Sequence, residues 1–271
     1  MATAVFFHAH PDDEAISTGG AMVKAAAAGH RVVLVCATDG AVGEPVPGSV
    51  PEGSTLGSVR LEELKVAGEI LGASRVEWLG YGDSGMDAES TNDHPDCFWQ
   101  ADVEVAATRL AEILTSEDAS VLTVYDSHGG YGHPDHIQVH RVGHRAAEIA
   151  ATPAVFEATM NRDRMRALAD FAFEGADDDP ELAQQREEMR ETEMGSPAAE
   201  ITHEIDVSHS VAQKREAMAA HRSQIPADSF FMTMPDEAFV AAFGTEWFIE
   251  RGALRAGEPY GDDLFATLPG A

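Results

Sequence analysis

Two short clusters of imidazole and carboxylate stand far apart in this chain, His10-Pro11-Asp12-Asp13-Glu14 and His133-Pro134-Asp135-His136. Each follows an apolar run, so each sets His and Asp side chains at a strand-to-helix turn that proline stiffens. Imidazole nitrogen and carboxylate oxygen together suit Zn²⁺, whose catalytic sites use three protein ligands and leave a position open. The clusters hold more candidates than that. The surplus matches metal-assisted hydrolysis, which needs a base and an acid beside the metal. A lone His at a strand end reads as a hydrogen-bonded structural residue and an Asp after Pro as a helix cap, but the repetition after two strands favours a metal site. His136, His140 and His144 share one helix face. No Glu follows His136, so the helical metalloprotease pair is absent, and His140 and His144 read as packing or supporting residues.

The elements that position these clusters follow from hydrophobic patterning. Ala4 to His8 and Arg31 to Ala37 are short apolar runs, read as buried strands, and the Ala-rich stretch between them reads as one helix from about Glu14 to Gly29. The alternation continues with helices near Ser58–Leu71, Trp99–Thr115 and His136–Ala150, and strands at Val76–Gly80, Val121–Tyr125 and Ala154–Ala158. This pattern predicts an α/β fold, a Rossmann-like three-layer αβα sandwich with a mostly parallel sheet. Beyond residue 160 the signal weakens: helices near Arg162–Phe171 and Leu182–Glu193, a strand near Ile201–Val207, a helix near Ser210–His221 and a short terminal pair. Three long polar connections, Gly40–Gly57, Tyr81–Phe98 and Asp126–Asp135, all follow predicted strands. They gather at the carboxyl edge of the sheet, which places the active site there. The acidic stretch Glu174–Glu200 reads as a solvated helix face and loop.

Phe7-His8-Ala9-His10-Pro11-Asp12-Asp13-Glu14, taken with Gly129-Gly130-Tyr131-Gly132-His133-Pro134-Asp135-His136, resembles the LmbE-like (PIG-L) family of zinc-dependent N-deacetylases. Members include the deacetylase of mycothiol biosynthesis, mycothiol S-conjugate amidase and the deacetylase acting on N-acetylglucosaminyl-phosphatidylinositol. The likeness runs from the first strand to about residue 225. It implies His10, Asp13 and His136 as zinc ligands and Asp12 as the base that takes a proton from water. It further implies that His133 stabilises the oxyanion and protonates the leaving amine, that Asp135 fixes the charge state and orientation of His133, and that the Tyr131 hydroxyl assists. Two adjacent carboxylates can act differently when one is neutralised by a metal and the other only faces the water. Arg60, Asp83 and Gln224 match substrate-binding positions of the family; apart from the resemblance they read as a helix-surface ion pair, a turn residue and a helix-end cap. Gly82 stands where the family often has Arg.

The implied reaction is hydrolysis of an acetamide on an N-acetylglucosaminyl-type amino sugar, releasing acetate and a free amine. The alternative within the class is cleavage of a cysteinyl amide of a mycothiol conjugate. The alternative of another class is a non-catalytic metal- or sugar-binding module, against which the intact Asp12 and His133 count. The ligand set accepts Fe²⁺ as well as Zn²⁺.

Composition narrows the partners. With 18 Lys+Arg against 47 Asp+Glu the formal charge is −29, which repels nucleic acid and anionic membrane surfaces. No segment approaches the roughly 18 apolar residues of a membrane span. Hydrophobic residues make up 44%, enough for a substantial core, so one domain over 1–271 is expected, less regular from about residue 160. Lys24, Lys65 and Lys214 are the only lysines, which reads as an Arg-biased genome rather than salt adaptation. Cys36 and Cys97 make no disulfide framework, and the first residues show no signal-peptide pattern. The expectation is a cytoplasmic enzyme with a small-molecule substrate, compatible with a homo-oligomer. Gly19-Gly20 form no dinucleotide fingerprint, so no nicotinamide cofactor is expected.

Overall fold

Runs that are apolar without alternation belong to strands covered on both faces, and the two such runs near the start of the chain lie in the interior of the sheet. In the computed structural model, which describes residues 1–172, 184, 187, 193–255 and 257–268, β1 (Thr3–His8) is buried at every position. It pairs in parallel with β2 (Arg31–Thr38) on one side and β4 (Ala119–Tyr125) on the other. β3 (Arg75–Tyr81) and β5 (Ala154–Thr159) extend the parallel set outward. β7 (Thr245–Glu250) then runs antiparallel between β5 and β6 (His203–Asp206), giving the order β3-β2-β1-β4-β5-β7-β6.

Alternate residues of β1 feed two separate cores. Ala4 and Phe6 pack with α2 (Gly19–Ala27), α3 (Leu56–Ile70) and α8 (Val211–Ala220); Val5 and Phe7 pack with α4 (Val103–Ser116) and α6 (Pro134–Ala150). The three-layer Rossmann-like sandwich expected from the sequence is therefore present. Strand order reverses between β1 and β4, the switch point beyond whose carboxyl ends sheets of this kind bind ligands. α6 lies close on β4 because Gly143 has no side chain: a Cβ there would collide with Val124.

Two expectations change in detail, and a third falls where the structure describes little. The single helix from Glu14 to Gly29 is two, α1 (Asp13–Ser17) and α2, separated at Thr18. Thr18 breaks the helix with an extended φ of −134° while its hydroxyl bonds His8 Nε2 at 2.8 Å. The terminal pair contributes an inserted antiparallel strand that local pattern did not signal. The helix expected at Leu182–Glu193 falls almost wholly outside the described residues.

β7 is tied to the start of α2 and to α8 through one buried carboxylate. Glu246 accepts from the backbone N–H groups of Gly20 (2.8 Å) and Ala21 (2.9 Å) at the start of α2 and from Lys214 Nζ (2.6 Å). Both charged residues are buried. Removing one partner of such a pair strands the other, so Lys214→Met is expected to lower unfolding free energy by about 3 kcal/mol. Urea denaturation measures it, and a loss under about 1 kcal/mol would show the pair to be dispensable.

Candidate metal centre and active site

The two histidine clusters sit at the carboxyl ends of β1 and β4, neighbours in the sheet, so residues more than a hundred positions apart meet. The first cluster enters α1 through Asp12, whose φ of 114° is left-handed. Few non-glycine residues accept that conformation, at a cost of about 1–3 kcal/mol, and it persists only where the surroundings dictate it. The second cluster follows α5 (Gly129–Gly132), where Gly130 is non-helical. It begins α6 with His133 at the N-cap and Pro134 in the first turn, which suits the fixed φ of proline.

Asp13 is the junction of the site. Its Oδ2 accepts the His10 backbone N–H at 2.8 Å and lies 3.3 Å from His10 Nδ1 and 3.4 Å from His136 Nε2. Ligand atoms about 2.0–2.2 Å from one tetrahedral ion stand about 3.3–3.6 Å apart, so these two separations fit the edges of such a site. His10 Nε2 donates to Asp135 Oδ2 at 3.2 Å, with Asp83 Oδ1 at 3.4 Å, and Nδ1 is the nitrogen that faces Asp13. A carboxylate behind the far nitrogen of an imidazole is the usual support of a metal-bound histidine. The His136 ring stacks on Tyr125 with centroids 4.3 Å apart and offers Nε2 to the same space. Two imidazoles and a carboxylate, from His10, Asp13 and His136, are donor types that could hold a divalent cation.

His10, His133 and His136 form another triad, whose donor atoms all lie within 4.8 Å of one another, as do those of His10, Asp83, His133 and Asp135. Hydrogen bonding separates the two triads. His133 Nδ1 accepts the Asp135 backbone N–H at 3.1 Å, so its neutral ring carries the proton on Nε2. Burial, with His10 and His136 nearby, brings His133 down to about 4, which keeps the ring neutral. A nitrogen bearing a proton donates rather than ligates. His133 is thus placed as a hydrogen-bond donor, 4.5 Å from His10 between ring centroids.

Charges around the cluster are strongly perturbed. Burial opposes protonation of His10, but Asp13, Asp135 and Asp83 outweigh it and hold the imidazole well above its usual range. Burial likewise opposes ionisation of Asp13, yet His136 and His10 hold it well below the usual carboxylate range. Asp12, beside it, is pushed up to about 6 by burial, with Arg60 offsetting part of the effect. Two adjacent carboxylates thus diverge, as unlike roles require.

The remaining expected residues are all near the site, though some are held otherwise than expected. The Asp135 carboxylate bonds Ser84 through both its N–H (2.9 Å) and its hydroxyl, and His10; its own backbone N–H, rather than its carboxylate, fixes His133. Tyr131 is part exposed, its hydroxyl 3.4 Å from His136 Nε2. Arg60 is buried and spends its guanidinium on Pro11 and Gly40 carbonyls and on Asp12 Oδ2 at 3.1 Å, a clamp on the first cluster rather than a surface ion pair. Gln224 borders it: a Cβ added to Gly43 would meet Arg60 Nη1 at 2.5 Å and Gln224 Oε1 at 2.6 Å. Asp83 accepts from the Val42 (3.2 Å) and Gly85 (2.9 Å) backbones while facing His10. His140 bonds the Tyr125 carbonyl at 3.0 Å and His144 bonds Glu157 at 2.8 Å, away from the junction. Sequence reasoning assigned nothing to Glu14, Ser84 or His221, all fully buried around the site. Their signal was position alone: each lies within or beside a motif already singled out.

Residues 5–147 match the family described as PIG-L, GlcNAc-PI de-N-acetylase. A 1D-myo-inositol 2-acetamido-2-deoxy-alpha-D-glucopyranoside deacetylase of Thermomonospora curvata is 38% identical over 294 aligned positions, covering 98% of this chain and 97% of that protein. One of the same name from Salinispora arenicola is 39% identical, covering 97% and 90%. Among solved structures, N,N'-diacetylchitobiose deacetylase from Pyrococcus horikoshii superposes with a TM-score of 0.54 at 21% identity, covering 92% of this chain and 83% of that one. A 4-carboxy-2-hydroxymuconate hydratase from Pseudomonas putida superposes with a TM-score of 0.58 at 19% identity, covering 93% and 97%. Likeness at that distance concerns the fold, which here carries different reactions.

Proposed function

The chain belongs to the PIG-L family of de-N-acetylases, and on that footing we propose that it is a zinc-dependent hydrolase removing the acetyl group from an N-acetylglucosaminyl substrate, with an inositol as the preferred aglycone. The observation that carries the reading is the junction at Asp13, which meets both His10 and His136 while Asp12 and His133 stay outside the ligand set. Relatives that match nearly the whole chain share the name of that deacetylase.

His10 Nδ1, Asp13 Oδ2 and His136 Nε2 would hold the zinc, which when bound polarises the amide carbonyl and acidifies a water. The protein's own groups then divide the proton work. Asp12 accepts the proton of the attacking water on its carboxylate, its orientation set by Arg60 Nη2. His133 offers Nε2–H to the oxygen that gains charge as the carbonyl carbon becomes tetrahedral, the kind of preorganised donor that is worth most where water is excluded. Tyr131, its hydroxyl 3.4 Å from His136 Nε2, adds a second donor at the same edge. Asp12 then returns its proton, and the amine leaves with acetate as the other product. Fe²⁺ could serve in the same ligand set. Two free, buried cysteines accord with a reducing cytoplasm.

Acetate release from N-acetylglucosaminyl-inositol, compared between zinc-loaded and metal-stripped protein, tests the reading. Release that disappears on stripping and returns with zinc is expected. No release from protein shown to carry one zinc per chain would reject this substrate.

A further inference from the structure

The left-handed backbone of Asp12 needs something to hold it, and the groups that do so come from opposite ends of the chain. Glu14 Oε2 accepts the Asp12 backbone N–H at 2.9 Å. Its other oxygen, Oε1, accepts from His221 Nε2 at 2.6 Å, and neither side chain is exposed to solvent. His221 ends α8, and that helix end is itself anchored. Ser223 bonds the Glu63 carboxylate of α3 through its N–H (2.9 Å) and hydroxyl (2.6 Å), and its carbonyl accepts from Val46 in the long loop after β2 at 2.8 Å.

We infer that Glu14 and His221 form a positioning pair for deacetylation: His221 fixes Glu14, and Glu14 holds Asp12 in the strained conformation that turns its carboxylate toward the reacting water. The inference rests on the function proposed above. The side-chain bonds of Glu14 go to the Asp12 N–H and to His221, not to a proposed zinc ligand atom. The pair acts through the direction of one N–H. Without that acceptor the Asp12 backbone relaxes to an ordinary negative φ, because only a dictated geometry sustains the strain. Its carboxylate then moves relative to its partners. Displacing a reacting group by about 1 Å costs on the order of 100-fold in rate.

The experiment separates this role from a purely structural one. Replacing a buried charged pair by apolar residues of similar volume commonly preserves stability, whereas removing one partner does not. The double variant Glu14→Met/His221→Leu is therefore expected to keep its melting temperature within a few degrees and its zinc content. Its kcat should fall about 100-fold with KM changed less than about threefold. Glu14→Asp, one methylene shorter, can reach His221 or the Asp12 N–H but not both, and should show a similar kcat loss; it serves if the double variant does not fold. Glu14→Gln, which still offers one acceptor and one donor, should stay within about tenfold of the parent. A crystal structure of either disruptive variant should show Asp12 at negative φ. Wild-type kcat in a folded disruptive variant, or an Asp12 φ unchanged from the parent, overturns the inference. Should the parent protein release no acetate, the Asp12 conformation still decides for or against the pair, while the proposed substrate is rejected separately.

Discussion

Asp12→Asn is expected to retain zinc and to lose turnover by about 10²–10⁴-fold, the range general-base catalysis contributes. The substitution is isosteric. Asn tolerates positive φ as well as Asp does, so the backbone at 114° survives it. The Arg60 Nη2 contact has a carbonyl oxygen to meet in place of the carboxylate Oδ2, and the Glu14 contact is to the main chain and is untouched. What disappears is the capacity to take a proton. Metal analysis alongside acetate release separates the two properties, and residual turnover above about a tenth of the parent's would remove Asp12 from the role of base.

Asp13→Ala is expected to lose zinc outright, and activity with it, whereas His133→Ala should keep the metal and slow the reaction. The pair of variants decides between the two sets of donors that converge here. In the set with Asp13, that carboxylate stands 3.3 and 3.4 Å from the two imidazoles, both tetrahedral edge lengths. In the set with His133 one ring nitrogen is already an acceptor for the start of α6, which forces the proton onto the other. Removing an oriented donor from an oxyanion site costs about 10²–10³ in kcat, and His133→Ala should fall in that range. Equilibrium dialysis against zinc, followed by metal analysis, checks both. An Asp13→Ala protein that holds one zinc per chain as tightly as the parent would assign the metal to the histidines.

The hydratase likeness shows why the site and not the sandwich must carry the functional conclusion. Its fold matches as well as that of a deacetylase, with a TM-score of 0.58 against 0.54. In a parallel sheet of this kind ligands bind beyond the carboxyl edge, and chemistry there is a matter of which side chains the loops deliver.

Much of this protein was legible in one dimension. Uninterrupted apolar runs at Ala4–His8 and Arg31–Ala37, alternating with helical stretches, dictate a parallel sheet with two covered faces, because backbone polar groups and apolar side chains can be satisfied together in few other ways. His-Pro-Asp after two strands put imidazole, carboxylate and a stiff turn together by covalent connection alone. Those features survive any packing. The rest depends on where distant segments come to lie. That His133 donates rather than ligates follows from one hydrogen bond at the start of α6. That Arg60 braces Asp12 instead of meeting solvent follows from the fold of the loop after β2. The Glu14–His221 contact joins residues 207 positions apart, and β7 enters the sheet between two strands that precede it. Residue type sets which contacts a side chain is able to make; burial, direction and partner are properties of the packed chain, because a hydrogen bond reads positions in space and not order along the sequence.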